Sequence, residues 1–159
     1  DGTCTKLSKG NWCSARAACY DPLTRRAAVF CPRGLYMLNV DDGSWSRLGQ
    51  STWVFARAAV LAPGGGTAFV FHDHGLYKGS LSDGSSERMT KDHWGQTMGA
   101  VLSGDGSPTA VVVYANGVYR VDLRDGSYQR SETKSSWYTV NALCPLGANA
   151  YVSTVPTGK

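Results

Sequence analysis

Four short apolar runs set the main pattern of this chain. They read Ala27-Ala28-Val29-Phe30, Ala68-Phe69-Val70-Phe71, Ala110-Val111-Val112-Val113 and Ala150-Tyr151-Val152-Ser153. Each is short, carries β-branched or aromatic residues, and is flanked within a few positions by Gly, Pro, Asn or Asp. That combination predicts buried strands. A run of smaller side chains precedes each one: Arg16-Ala17-Ala18-Cys19, Arg57-Ala58-Ala59-Val60, Met98-Gly99-Ala100-Val101 and Asn141-Ala142-Leu143-Cys144. A turn and a third strand follow, marked by Gly34-Leu35-Tyr36, Gly75-Leu76-Tyr77 and Gly117-Val118-Tyr119. A short polar segment such as Ser44-Trp45-Ser46-Arg47-Leu48 predicts a fourth strand. No segment has helical periodicity of useful length.

The pattern is periodic. Asp1-Gly2-Thr3-Cys4, Asp42-Gly43-Ser44-Trp45, Asp83-Gly84-Ser85-Ser86 and Asp125-Gly126-Ser127-Tyr128 follow one another in steps of 41, 41 and 42 residues. Trp12, Trp53, Trp94 and Trp137 keep nearly the same phase, with steps of 41, 41 and 43. Asp-Gly tolerates positive φ and suits a two-residue hairpin connection. Four antiparallel strands per unit of this length predict an all-β fold, a β-propeller with one repeat per blade. A lone four-stranded sheet cannot bury both faces, so the blades must stack on one another. The small residues after each tryptophan suit the crowded strand nearest the central channel. The expectation is a single domain over residues 1–159. It has four blades of four antiparallel strands, with the ring closed by the N- and C-terminal segments. Residues 1–9 would supply an outermost strand. The equivalent of Tyr77 to Ser82 has no counterpart after Lys159. Three explanations stay open: an incomplete fourth blade, completion by another chain or a second copy, or a longer propeller of which this is a part.

Composition narrows the class. The chain has 159 residues, 42% apolar and 18% charged, with a net charge of +4. It is long enough to bury a core and too apolar for a disordered segment. The densest basic spot, Arg25-Arg26, reads as a solvated turn, so nucleic acid is not an expected partner. No apolar run reaches the roughly 18 residues of a membrane span. Asp1 reads as a mature N-terminus, which with the cysteine usage points to a secreted or extracellular protein. The five cysteines contain no CxxC. Cys19 and Cys31 flank the first hairpin and are expected to face each other across its strands as a disulfide. Cys144 or Cys4 would then be the odd thiol.

Gly34-Leu35-Tyr36 through Asp42-Gly43-Ser44-Trp45-Ser46-Arg47-Leu48, followed by Trp53, resembles the blades of tachylectin-like and tectonin-like propellers. The resemblance covers the whole chain but lives in turn and packing residues. It implies a lectin with a sugar site on each blade or between blades, and carries no sugar-site motif residue by residue. Kelch repeats and hemopexin-like propellers are less similar.

Candidate chemistry lies where the repeats differ. The recurring tryptophans are expected to pack between blades, with sugar stacking as the alternative. Trp45 and Tyr128 replace Cys4 and Ser86 at one repeat position, so both are candidate exposed ligand platforms. Tyr36, Tyr77 and Tyr119 read as core residues with hydroxyls reaching backbone. Arg16, Arg57, Met98 and Asn141 share a position at the start of the channel strand. Arg16, Arg57 and Asn141 there are candidates for binding an anion, unless each arginine pairs with a loop carboxylate such as Asp92 or Glu87. His72-Asp73-His74 is the one metal-like motif. Two imidazoles are not a site, and both read as exposed turn residues, so no metal is expected. No GxSxG, HExxH or P-loop occurs, no catalytic residue stands out, and no cofactor is implied.

Three functions follow from these features. The leading one is a non-enzymatic carbohydrate-binding propeller whose partners are glycans or glycoproteins. The second is a protein-interaction or inhibitor scaffold. The third is an enzyme or small-ligand carrier using the central channel.

Overall fold

The computed structural model describes Lys6 and residues 10–131, together with the backbone of residues 140–146 and 149–154. Apart from Lys6, residues 1–9 lie outside the described residues, as do Trp137 and residues 155–159. Three complete antiparallel sheets follow one another along the chain. The first blade is β1 (Ala17–Asp21), β2 (Arg26–Cys31), β3 (Gly34–Asn39) and β4 (Trp45–Leu48). The second is β5 (Ala56–Leu61), β6 (Thr67–His72), β7 (Gly75–Ser80) and β8 (Ser86–Arg88). The third is β9 (Thr97–Leu102), β10 (Thr109–Tyr114), β11 (Gly117–Asp122) and β12 (Tyr128–Arg130). The strand pair β13 (Val140–Leu146) and β14 (Asn149–Thr154) begins a fourth unit. No helix occurs among the described residues, so none there could cross a membrane as a helix.

Strand order within each blade equals chain order, and the first strands carry the ring inward. β1 packs on β5, β5 on β9 and β9 on β13. These are the small-residue runs, and their close approach is what alanine and glycine permit. The second strands are buried on both faces, which explains their continuous apolar sequence. In β6, Ala68 and Val70 join the layer shared with the first blade, which holds Ala28, Phe30, Leu35 and Trp53. Phe69 and Phe71 turn the other way, into the layer with Trp94, Ala110, Val112 and Val121. The period-2 alternation of one strand therefore serves two interfaces. Truncating fully buried Phe30 or Phe71 to alanine would cost about 3–5 kcal/mol.

The Asp-Gly turns differ from the expected two-residue connection. Asn39 N–H donates to Ser44 O across a four-residue loop, and the second and third blades repeat this between Ser80 and Ser85 and between Asp122 and Ser127. Gly43, Gly84 and Gly126 hold φ of 71°, 74° and 78°. Asp42, Asp83 and Asp125 each accept the backbone N–H two residues on, at 2.8, 3.0 and 2.8 Å. The two-residue hairpins sit elsewhere, at Pro32-Arg33, Asp73-His74 and Ala115-Asn116, just before the Gly-Leu-Tyr or Gly-Val-Tyr marks. The longer turn also docks on its neighbour. A Cβ on Gly84 would stand 2.6 Å from the carbonyl carbon of Leu48 in the preceding blade. Glycine is thus required at that turn by conformation and by space.

The expected Cys19–Cys31 disulfide does not form. β1 pairs with β2 so that Cys19 stands opposite Ala28, three residues short of Cys31. That offset is about 10 Å along the strand, and an odd offset puts the two thiols on opposite faces. Bridging needs Cα atoms within about 7 Å. Cys13, Cys19 and Cys31 are all free thiols. Burial, with Asp21 adding to it, pushes the Cys19 thiol up to about 12.

Two outcomes test this fold. Gly106 holds φ of 77° with open space around its Cα, so Gly106→Ala meets only the backbone penalty, about 1–3 kcal/mol. Gly84→Ala adds a backbone collision, and its urea midpoint should fall further than that of Gly106→Ala; equal shifts would contradict the docked turn. Brief iodoacetamide labelling of the native protein near neutral pH should modify exposed Cys13 well before Cys19. Peptide mapping that finds Cys19 modified first, or joined to Cys31, would contradict the register.

Candidate functional site

The connection into each blade builds one copy of the same structure. Trp53 N–H donates to Cys31 O at the end of β2 in the preceding blade, and Trp94 N–H donates to His72 O at the end of β6, both at 3.3 Å. The tryptophan carbonyl then accepts a bond from the residue three positions on. The donors are Ala15, Ala56 and Thr97, at 2.9, 3.2 and 3.0 Å. This tight turn feeds the inner strand. The Trp53 ring meets Phe30 at 5.1 Å and the Trp94 ring meets Phe71 at 5.3 Å, edge to face. Both tryptophans are buried between blades, as expected for a packing residue.

The same indoles form the floor of three hollows. In each, the tryptophan ring and the tyrosine ring of the third strand meet nearly at right angles. Trp12–Tyr36, Trp53–Tyr77 and Trp94–Tyr119 lie 5.7, 6.0 and 6.1 Å apart. Nε1 of Trp12, Trp53 and Trp94 is buried with no hydrogen-bond acceptor among the described residues. The tyrosines were expected in the core. All three are half-buried and line the hollows, Tyr77 and Tyr119 also packing against the core layers, and Tyr119 Oη donates to Asn116 Oδ1 rather than to backbone, at 2.8 Å.

The third wall comes from the first residue of each outer strand, and here the copies diverge. The first hollow, about 490 Å³, has Trp45, with Asn11, Ser14 and Arg33 at its rim. The second, about 400 Å³, has Ser86 there, and Phe55, His72 and His74 opposite. The third, about 190 Å³, has Tyr128, joined by Tyr114, Asp92 and His93. Trp45 and Tyr128 are 51% and 46% exposed, so both present an aromatic face to solvent. Trp45 is held by Trp12 and Tyr36 at 5.8 and 5.6 Å, and Tyr128 by Trp94 and Tyr119 at 5.3 and 5.9 Å. Phe55, 45% exposed, gives the second hollow an aromatic face where Ser86 has none.

The other candidates fall differently. Arg57 is the extra residue of a β-bulge in β5, and Met98 and Asn141 occupy the same bulge in β9 and β13. Arg16 lies exposed just before β1. The side chain of Asn141 lies outside the described residues. Arg57 is engaged by Asp73, Nε to Oδ1 at 2.6 Å and Nη2 to Oδ2 at 2.9 Å. The expected carboxylate partners were Asp92 or Glu87. Asp92 lines the third hollow and Glu87 faces Lys78 at 3.7 Å. One edge of the Arg57 guanidinium is therefore taken by Asp73, and these hydrogen bonds hold Asp73 below the usual carboxylate range.

His72 is not an exposed turn residue. It ends β6, is 7% exposed, and its Nδ1 accepts the His74 N–H at 3.1 Å. The two rings lie 5.2 Å apart, but Nδ1 is turned to backbone, and no group of three metal-ligating side chains forms among the described residues. Sequence reading missed Arg47, Arg88 and Arg130. They recur in steps of 41 and 42 and lie directly opposite Tyr36, Tyr77 and Tyr119. The signal was present in the same alignment of repeats. Phe55, Asp92 and His93 gave no such signal, because the connecting loops do not repeat in sequence.

Burial first, then His74, lowers the His72 pKa below its ordinary 6.5; Arg57 and Arg88 act the same way and Asp73 opposes them. As pH falls through 6.5 the unfolded chain takes up this proton before the native state does. The stability contributed by neutral His72 is complete above that pH and declines below it. Thermal unfolding between about pH 7.5 and about pH 5.5 should show a steeper loss of midpoint in the natural chain than in His72→Gln. Equal slopes would show that the ring does not titrate from a buried neutral state.

Neither a protein-family model nor a curated protein sequence matches the chain. Solved structures do. A chain of a nidogen/laminin complex is similar over 86% of this chain and 54% of its own, at 14% identity and a TM-score of 0.68. An auxiliary nutrient binding protein from Bacteroides thetaiotaomicron is similar over 89% of this chain and 36% of its own, at 14% identity and a TM-score of 0.65. Hydrazine synthase from Kuenenia stuttgartiensis is similar over all of this chain and 46% of its own, at 12% identity and a TM-score of 0.62. The chain thus spans about half or less of the length of the structures it matches. At such identities the likeness speaks to fold alone, and with the stacked four-stranded sheets it makes this chain a β-propeller.

Proposed function

We propose that this propeller is a non-enzymatic carbohydrate-binding protein with one shallow aromatic site per blade. One observation carries the reading: the same hollow, floored by tryptophan and tyrosine, recurs in three consecutive blades. An exposed aromatic face suits the C–H face of a pyranose, and half-exposed rings held by neighbours lose little entropy on binding. Trp45 serves the first site, Phe55 the second and Tyr128 the third. Single sites this open bind weakly. Three on one scaffold gain strength on a multivalent glycan or glycoprotein surface without any new contact. The lectin type suggested by the tachylectin-like and tectonin-like resemblance, and a secreted location where glycans are displayed, both belong to this reading.

A second reading is a protein-interaction scaffold. Val54 and Phe55 are exposed apolar side chains side by side on a loop. Two of the similar structures are a nidogen/laminin complex and a mitotic checkpoint complex. A channel enzyme has less support, since Arg57 is already paired.

A glycan array followed by titration calorimetry tests the leading reading. Trp45→Ala and Tyr128→Ala should each weaken binding at their own blade about tenfold, roughly 1.4 kcal/mol, with little change in unfolding midpoint. Avidity on a glycan-coated surface should fall more steeply than affinity for a soluble glycan. No glycan bound at millimolar concentration, or unchanged affinity in both variants, would refute it.

A further inference from the structure

We infer that the hollow of the first blade takes an anionic sugar, one bearing a carboxylate or a sulfate, whereas the third takes a neutral one. This rests on the carbohydrate reading above and assigns its sites different ligand classes.

One guanidinium group lines the first hollow, and a second lies on the same sheet face as two of its walls, Tyr36 and Trp45. Arg33 lines it from the Pro32-Arg33 hairpin and is exposed. Arg47 is the cross-strand partner of Tyr36 and lies two residues from Trp45, so all three occupy one face of the sheet. Its Nε lies 2.7 Å from where a Cβ on Gly34 would stand, which sets the guanidinium against the same hairpin. Asn11 and Ser14 add neutral hydrogen-bonding groups, and among the described residues no carboxylate lines this hollow.

The protein supplies these two arginines with no counter-ion among the described residues. Its ion pairs join Asp41 to Arg25, Asp73 to Arg57, Glu87 to Lys78 and Asp122 to Arg124. Asp21 accepts from Thr24 and the Leu23 N–H. Asp42, Asp83, Asp105 and Asp125 hold the N–H groups of turns. The remaining described carboxylate, Asp92, lines the third hollow. There it disfavours a second negative charge; Arg130, opposite Tyr119, donates to the Asn116 carbonyl, and the Tyr128 hydroxyl, with the lone pairs of the Tyr114 and Tyr119 hydroxyls, offers bonds to a neutral sugar. In the first hollow a planar fork meets a carboxylate or sulfate bidentately, beside an indole face for the ring.

An array carrying neutral, carboxylated and sulfated glycans tests the assignment, and comparing the two charged sets identifies the anion. Arg33→Gln and Arg47→Gln should each weaken binding of the charged glycans about fivefold or more and leave neutral glycans within about twofold. Raising NaCl from about 0.05 M to about 0.5 M should weaken the charged set alone. Arg33→Lys and Arg47→Lys keep the charge and should retain part of the preference, which separates charge from a merely structural loss. Tyr128→Ala should reduce neutral binding while the charged set persists. Neutral glycans bound normally, with no charged preference or with one that the doubly substituted Gln variant retains, would overturn the assignment and leave the carbohydrate reading standing. No glycan bound at all would overturn both.

Discussion

A four-stranded sheet with two apolar faces is stable here only because another sheet covers each face. Everything else in the molecule follows from that stacking. The layer of Ala28, Phe30, Leu35, Trp53, Ala68 and Val70 belongs to neither of its two blades alone. Its successor, with Phe69, Phe71, Trp94, Val112 and Val121, is shared in the same way. The tryptophan of each connection closes the layer. Its ring fills the space beside Phe30 or Phe71, and its backbone N–H bonds the last carbonyl of the preceding blade's second strand. The Asp-Gly turn repeats the linkage at the outer edge, where Gly84 lies on Leu48 and Gly49.

The candidate sites are a by-product of that docking. A tryptophan that joins two blades exposes little of its own surface, yet it sets the floor on which the outer strand presents its first residue. Where that residue is Trp45 or Tyr128, the hollow gains an exposed aromatic wall; where it is Ser86, Phe55 of the connecting loop takes that place. The architecture therefore fixes where the hollows lie, while variable positions fix which side chains line them. The unpaired indole N–H groups fit this division, since each indole is oriented by packing rather than by a hydrogen bond. The bulged inner strands show the same economy. One extra residue turns Arg57 toward Asp73 without breaking the pairing that continues through Ala58.

Much of the fold was legible in the sequence because its causes are local and periodic. Alanine, valine and phenylalanine at alternating positions specify strands with two buried faces. The marks at steps near 41 residues give the blade. Trp45 and Tyr128 were legible as exposed because they break the repeat. The cysteines were misread for a physical reason: hairpin register depends on which residues form the turn. The four-residue connection Pro22-Leu23-Thr24-Arg25 closes on the Asp21–Arg26 pair, and that puts Cys19 opposite Ala28. His72 was misread because strand β6 runs one residue further than the turn-like string His-Asp-His suggests.

The sequence by itself determined the strand pattern, the repeat and the small-residue strand that the centre requires, since these depend on side-chain size and alternation within a few residues. Only the tertiary structure decided that Arg57 pairs with Asp73, that His72 is buried, and that Trp12, Tyr36, Trp45 and Arg33 border one hollow. These relations join a connecting loop, a hairpin turn and an outer strand. Their meeting depends on strand register and on the packing of one blade against the next, which no local pattern of residues encodes.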